Sequence, residues 1–296
     1  MQLHIGIVGR IIYVTSIVSL SFAAYRLLFK KNSIFANFYD YFIIFFSIMA
    51  AILSGAKAGI LLLIFIMFTT VFFGRKLSTS IKIEKNFKRI SIVLILFLIP
   101  AAFLTIIIQT GIEDLSSVFL SLLLRLVHTG DVFFMAYPND MFSSLDTYEN
   151  GFISLFRSPI ASLRLMERDD LDIHLGIQLF RLYFDTDMIT GPNARHNVFG
   201  LLYFGFIGSL MFSFILGYIF SFVRNKLYKK MKPIERNVIL YTLLVMSINY
   251  IGQDTSGQTI DYLFSTLIVF TPIYFLSLIL IKTSKTSKTS KTSKIV

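Results

Sequence analysis

The sequence predicts an all-α, multi-pass integral membrane helical bundle with about seven transmembrane helices and one large external, partly helical loop. Three observations carry that prediction. Hydrophobic residues make up 55% of the 296 positions and charged residues 15%, against about 25% charged in ordinary soluble domains. Several runs of about 20 residues hold almost no charge, the length needed to cross about 30 Å of hydrocarbon. Basic residues also concentrate in every second connection, as on a cytoplasmic face. A soluble fold cannot hide this much apolar surface. The net charge of +11 therefore reads as loop asymmetry across a bilayer, which excludes nucleic acid as the partner.

The first span runs from Ile5 to Leu28 and the second from Phe38 to Leu53. The third is Ala58 to Phe73 and the fourth Ile90 to Ile108. The fifth runs from Val198 to Phe222, the sixth from Val238 to Ile251, short for a span, and the seventh from Tyr262 to Ile281. Residues 1–108 thus carry four spans, 109–197 the external loop, and 198–281 the last three spans. The remaining segment, 282–296, repeats Lys-Thr-Ser with no apolar area to bury and reads as a disordered cytoplasmic tail.

Orientation follows from the lysines and arginines. Lys30 and Lys31 separate spans one and two, and six basic residues from Arg75 to Arg89 separate spans three and four. Six more, Arg224 to Arg236, separate spans five and six, and five lysines follow span seven. Of 16 lysines, 15 fall in these segments, which puts the N-terminus outside and the C-terminus inside. The first 24 residues also have the outline of a signal peptide, with Arg10 in the charged region and Ala23 and Ala24 near the cleavage site. Cleavage would strand Lys30 and Lys31 outside, so the retained span is the better reading. With no cysteine, the chain has neither disulfides nor thiolate metal sites. With no tryptophan, its 14 tyrosines must supply the interfacial belt.

The loop Gln109–Asn197 carries 12 acidic residues and six basic ones. All six are arginines: Arg125, Arg157, Arg164, Arg168, Arg181 and Arg195. Arginine offers a planar fork that grips phosphate or carboxylate at two points, unlike the point charge of lysine. Pairing with the 12 carboxylates competes equally with that role for any one arginine. Leu115 to Val127 is apolar until Arg125, too short to span and suited to an interfacial helix. Ser158-Pro159 reads as a helix start that sets Arg164 and Arg168 four apart on one face. Asp172 reads as the cap of a further helix with a polar stripe of His174, Gln178, Arg181 and Asp185, which suits a face turned to water. Gly191-Pro192-Asn193 then turns the chain and delivers Arg195-His196-Asn197 to the mouth of span five.

Within span five, Gly205, Ser209, Ser213, Gly217 and Ser221 stand four apart, a spacing that lets another helix approach closely. Lys57, the one lysine outside the cytoplasmic set, lies at the external end of span three among small residues. A lysine there often only snorkels to the headgroups.

Two of these features together resemble the bacterial O-antigen polymerase and ligase superfamily. SGAKAGILLLIF, beginning at Ser54, is similar to that family's Ser-Gly-Ser-Arg-Gly at the head of a span, with Lys57 in the arginine position. RHNVFGLLYFGFIG, beginning at Arg195, is similar to its His-Asn followed by Gly-x-x-Gly, matched by His196, Asn197, Gly205 and Gly208. Three departures stand beside the match. Lysine lacks the bidentate fork, the seven residues between His-Asn and Gly205 are fewer than in the ligase pattern, and family members usually have ten or more spans.

The resemblance implies an inverting, metal-independent glycosyl transfer on the periplasmic side of the bacterial inner membrane, with no cofactor. The donor would be a growing glycan on undecaprenyl pyrophosphate, and the acceptor the next lipid-linked repeat unit. A chain-length regulator is a further implied partner beside membrane lipid. The donor already carries its leaving group, so the protein must supply cations for the departing pyrophosphate and a base for the acceptor hydroxyl. On this reading Arg125 and Arg195 bind pyrophosphate with Lys57 and Arg181 in support, while Arg164 and His174 contribute to substrate binding. His196 is the base and Asn197 orients it. The alternatives are an O-antigen ligase, a non-catalytic truncated assembly subunit, and a polysaccharide lipid transporter. A transporter would show ionisable residues within its spans, whereas only Arg10, Arg26, Asp40 and Asp261 come near, all towards span ends.

Overall fold

The computed structural model describes residues 6–30, 33–53, 57–77, 114–128, 130–145, 147, 150–167, 170–187, 191–277 and 279, with isolated positions between 88 and 107. Among them there are helices and turns and no strand. In chain order they are α1 (Ile7–Phe29), α2 (Ile34–Leu53), α3 (Lys57–Gly74), α4 (Leu115–His128), α5 (Asp131–Ala136) and α6 (Gly151–Ser162). They continue with α7 (Leu175–Phe184), α8 (His196–Lys230), α9 (Glu235–Ile248) and α10 (Thr255–Ser277).

Four of these, α1, α2, α8 and α10, are long and apolar enough to cross a membrane. The expected third span contributes a shorter apolar helix, Leu61–Gly74, and the expected sixth is α9, of 14 residues. The fourth span and the Lys-Thr-Ser tail fall largely outside the described residues.

Contacts between helix ends fix their directions. At one end Arg26 of α1 meets Asp40 of α2 at 3.1 Å, Lys30 meets Glu235 at the start of α9 at 2.9 Å, and Arg236 lies over Tyr274 late in α10. Gly74, ending α3, abuts the ring of Phe29, which ends α1. The first residues of α1 and α10 meet at the opposite end, where α6 covers them. Helices α1, α3 and α10 therefore run one way and α2 and α9 the other, the alternation that the basic loops predict.

The main core joins α1, α3, α9 and α10 through Val14, Ile17, Leu20, Ile66, Leu243 and Met246, with Tyr241 stacked on Phe73 at 4.8 Å. Helix α9 buries Val238, Tyr241, Leu243, Val245, Met246 and Ile248, which explains why so short an apolar segment holds a central place. Between apolar helices in lipid, van der Waals fit and interhelical hydrogen bonds replace the hydrophobic driving force. Hydroxyl pairs supply the latter: Thr70 with Thr242 at 3.3 Å and Ser247 with Thr266 at 3.1 Å. A second core lies in the segment between α4 and α8, where Val132 and Met135 of α5 pack with Leu175 and Leu179 of α7 and with Val198 and Phe199.

Helix α8 corrects the reading of a continuous fifth span. Gly205 adopts φ +67° and ψ −175°, which breaks the helix after Phe204 and folds its first limb back. The Ser209 hydroxyl donates to the carbonyl of Asn197 at 3.3 Å, whereas 12 steps of a straight helix would separate them by about 18 Å. A glycine is needed at the reversal because an L side chain rarely adopts this φ, and a Cβ on Gly208 would lie 2.6 Å from that of Phe204. Phe199, Phe204 and Phe212 close the inside of the hairpin. The small residues expected to admit a neighbouring helix are thus used otherwise. Ser209 packs on Gly200 of the same chain, and a Cβ on Gly217 would meet nothing within 4 Å among the described residues. The second limb leaves Phe206, Ile207, Met211 and Phe214 exposed.

Candidate functional site

Helix α6 shapes the end of the bundle where α1 and α10 begin. Its start is Gly151, not Ser158: the Asn150 side chain accepts from the backbone N–H groups of Phe152 and Ile153 at 3.0 and 2.9 Å. Pro159 falls in the last turn, where a missing N–H removes one ladder bond, and the helix stops at Ser162. Arg164 consequently lies beyond the helix in a left-handed conformation, φ 55°, exposed. The expected helical pairing of Arg164 with Arg168 does not form, and Arg168 itself lies outside the described residues.

The shifted register places Ser158 and Ser162 on the face that meets α1 and α10. There Arg10 donates from Nη1 to Asp261 at 2.5 Å and to Ser265 at 2.8 Å. Its Nη2 donates to Ser158 at 3.1 Å and to Ser162 at 2.7 Å, and Ser158 also donates to Asp261. Arg10 and Asp261 are each only 4% exposed. Burying two charges costs several kcal/mol per ion, and only close pairing with added hydrogen bonds offsets it. Three serines provide those bonds. Sequence reasoning set these two residues aside as span-end charges. The signal was present, since alternating spans bring the outer ends of spans one and seven to one side, and an intramembrane charge calls for a partner.

Beside this network a cleft of about 890 Å³ opens, lined by Arg10, Ser162, Arg164, Glu167, Asp170 and Phe264, among others. Of the expected site residues, Arg164 alone borders it together with Arg10.

Arg195 and His196 sit elsewhere at this end, against the turn that leads into α10. The Arg195 N–H donates to the Gln253 carbonyl at 2.8 Å, with the residue held at φ 40° and ψ 136°. Nδ1 of His196 stands 2.9 Å from the carbonyl of Gly252. A carbonyl only accepts, so Nδ1 is the donor, and in the neutral ring the lone pair then lies on Nε2. Asn197 does not orient this ring as expected. Its side-chain oxygen is buried without a hydrogen-bond partner among the described residues, and its backbone carbonyl takes the Ser209 bond. What positions the segment is close packing upstream: a Cβ on Gly176 would lie 1.8 Å from the Pro192 carbonyl oxygen, so only glycine admits the turn before Arg195.

Two further acidic and basic groups follow along the same face. Asp254 caps the first turn of α10 through the Gly257 N–H at 2.7 Å. Enclosure by protein raises its carboxyl from 3.8 to about 6, against the opposing pull of that N–H and of Arg157. Arg157 is itself buried on α6, an arginine that the sequence left without a role.

The α7 expectations need correction. His174, not Asp172, occupies the N-cap position, and Asp185 terminates the helix at φ 47°. Gln178 is buried and donates to the Ile173 carbonyl at 2.6 Å, so the supposed polar stripe does not face water as one surface. Arg181 reaches the Asp187 carbonyl at 3.0 Å, a local loop contact. Arg125 lies on α4 and Lys57 opens α3 at the Arg10 end of the bundle. Their side chains lie outside the described residues, so the expected gathering of Arg125, Arg195, Arg181 and Lys57 is not among the described contacts. No protein-family model, curated protein or solved structure matches this chain.

Proposed function

We propose that this chain is an integral membrane glycosyltransferase that polymerises oligosaccharide repeat units carried on undecaprenyl pyrophosphate, at the periplasmic face of the bacterial inner membrane. On this reading seven spans leave the N-terminus outside and the C-terminus inside. The observation that carries the proposal is the contact of His196 Nδ1 with the Gly252 carbonyl at 2.9 Å. The Nδ1–H is engaged by Gly252, which leaves Nε2 as an oriented acceptor for a proton from an attacking hydroxyl. Arg195 adds support. A non-glycine residue at φ 40° stores strain of about 1–3 kcal/mol, which clusters at functional sites, and its guanidinium suits a departing pyrophosphate.

The acceptor hydroxyl would attack the anomeric carbon as Nε2 takes its proton, and the C–O bond to pyrophosphate would break with the electron pair leaving on the phosphate oxygen. Inversion follows from a single displacement.

The test is complementation of a bacterial strain deleted for the polymerase of this chain's own locus, with surface polysaccharide resolved on a gel. The wild-type chain should restore a ladder, and His196→Ala should abolish it at unchanged protein level. A near-normal ladder in His196→Ala would remove the base from the proposal. A wild-type chain that yields only single repeats would make it a non-catalytic subunit.

A further inference from the structure

The cleft beside Arg10 has an apolar neighbour. A groove of about 520 Å³ runs between α6, α9 and α10, lined by Phe156, Leu240, Leu244, Leu263, Leu267 and Phe270. Phe264 lines both spaces, and the Arg10 guanidinium lies 5.2 Å from the centre of its ring. The groove follows α10 from Ile260 to Thr271, about 16 Å along a membrane-crossing helix, roughly half the hydrocarbon thickness. Polar space at the end of the bundle thus adjoins apolar space along α10, with Phe264 in the lining of both, a pairing that suits an amphiphile.

The chemistry of the cleft narrows the head. Arg10 is already neutralised by Asp261. Among the described residues Arg164, Glu167 and Asp170 form no ion pair, which leaves one cation against two carboxylates. A phosphate head would meet a net negative lining, whereas hydroxyls can donate to the carboxylates and accept from Arg164. We infer that the cleft and the groove form one binding site for a lipid with an uncharged, hydroxyl-rich sugar head, its hydrocarbon chain held along α10. This site is separate from the Arg195–His196 position, and it is not a site for the pyrophosphate-linked donor or acceptor of the proposed function.

The chain has no tryptophan, so one introduced indole reports one place. The full chain carrying Leu267→Trp, in the groove, or Phe214→Trp, on the exposed limb of α8, is reconstituted in phosphatidylcholine nanodiscs. It is then titrated with brominated-chain monoglucosyl diacylglycerol, phosphatidylglycerol or phosphatidylcholine. At Leu267→Trp the glucolipid should quench at about tenfold lower mole fraction than either phospholipid, as two or three added hydrogen bonds imply. At Phe214→Trp all three should quench alike. Adding Glu167→Gln and Asp170→Asn, both at exposed positions, should erase the preference without changing quenching by phosphatidylcholine. Equal quenching by all three lipids at Leu267→Trp would overturn the site as ordinary bilayer contact, and a preference for phosphatidylglycerol would overturn the head chemistry. Neither result touches the polysaccharide ladder, so this inference and the proposed activity fail separately.

Discussion

Arg10 and Asp261 stand 251 positions apart and meet at 2.5 Å, inside protein that leaves each of them almost inaccessible. The contact closes the bundle between α1 and α10, the first and last described helices long and apolar enough to cross a membrane, and through Ser158 and Ser162 it pins α6 to both. It is a structural lock at the edge of the cleft.

Removing one partner should therefore cost more than removing both. Arg10→Ala leaves Asp261 buried without its counter-ion, a loss of about 3–5 kcal/mol for such sites. Arg10→Leu combined with Asp261→Leu removes both charges and should recover most of it. The measurement is thermal unfolding of the purified chain in detergent, followed by size-exclusion chromatography after heating. Equal losses for the single and double variants would show that the pair contributes packing and not charge balance.

Asp254 predicts a pH dependence with a definite sign. Its carboxyl titrates at about 6 in the folded chain against 3.8 for the ordinary group, so between those values the native state binds more protons than the unfolded one. Stability must then fall as pH rises from about 4 to 6, and level off above. Asp254→Asn keeps an oxygen to accept the Gly257 N–H and has no proton to lose. Its thermal unfolding curve should lack that slope and lie at or above wild type at pH 7. A slope unchanged in Asp254→Asn would assign the titration to another group.

The helical class, the alternation of helices and the presence of helices in the external loop were legible because they rest on long hydrophobic runs and on charge placement. Three features were not. Asn150 and Ser158 are both competent caps, and nothing local reveals that Pro159 closes the helix instead of opening it. The glycines and serines of α8 have the spacing of a helix interface, and hydropathy is blind to the single positive φ at Gly205 that turns them inward. The Arg10–Asp261 contact joins the two ends of the chain, which no window of sequence contains, although alternation alone puts both at one side. Of the expected site residues, Arg195, His196 and Asn197 do share one turn. Arg181 was drawn into local loop structure by the Asp187 carbonyl, because short-range contacts cost less entropy to close, and His174 stands at the N-cap of α7.

The proposed orientation has its own test. The chain contains no cysteine, so Glu167→Cys and Lys229→Cys, both at exposed positions, each carry one thiol. In intact spheroplasts a membrane-impermeant maleimide should label Glu167→Cys and leave Lys229→Cys unlabelled until the membrane is opened. The reverse pattern would invert the topology and set Arg195 and His196 on the cytoplasmic side, away from any periplasmic substrate.

The hairpin in α8 is the feature most distant from what the sequence suggests, and the cysteine-free background makes it directly measurable. A Cβ built on Gly200 lies 3.2 Å from that of Ser209, close to the spacing of about 3.5–4.5 Å that a disulfide requires. In a straight helix nine residues span about 13.5 Å, far beyond reach. Gly200→Cys with Ser209→Cys should therefore cross-link under mild oxidation, read as protection from a thiol-reactive mass tag. Adding Gly205→Ala should reduce the yield, because alanine at φ +67° is destabilised by about 1 kcal/mol or more and straightening relieves it. If the pair forms no bond while both single variants fold, α8 is continuous from His196. Arg195 and His196 would then leave the turn at Gly252, and the Nδ1 contact on which the proposed base depends would be lost with them.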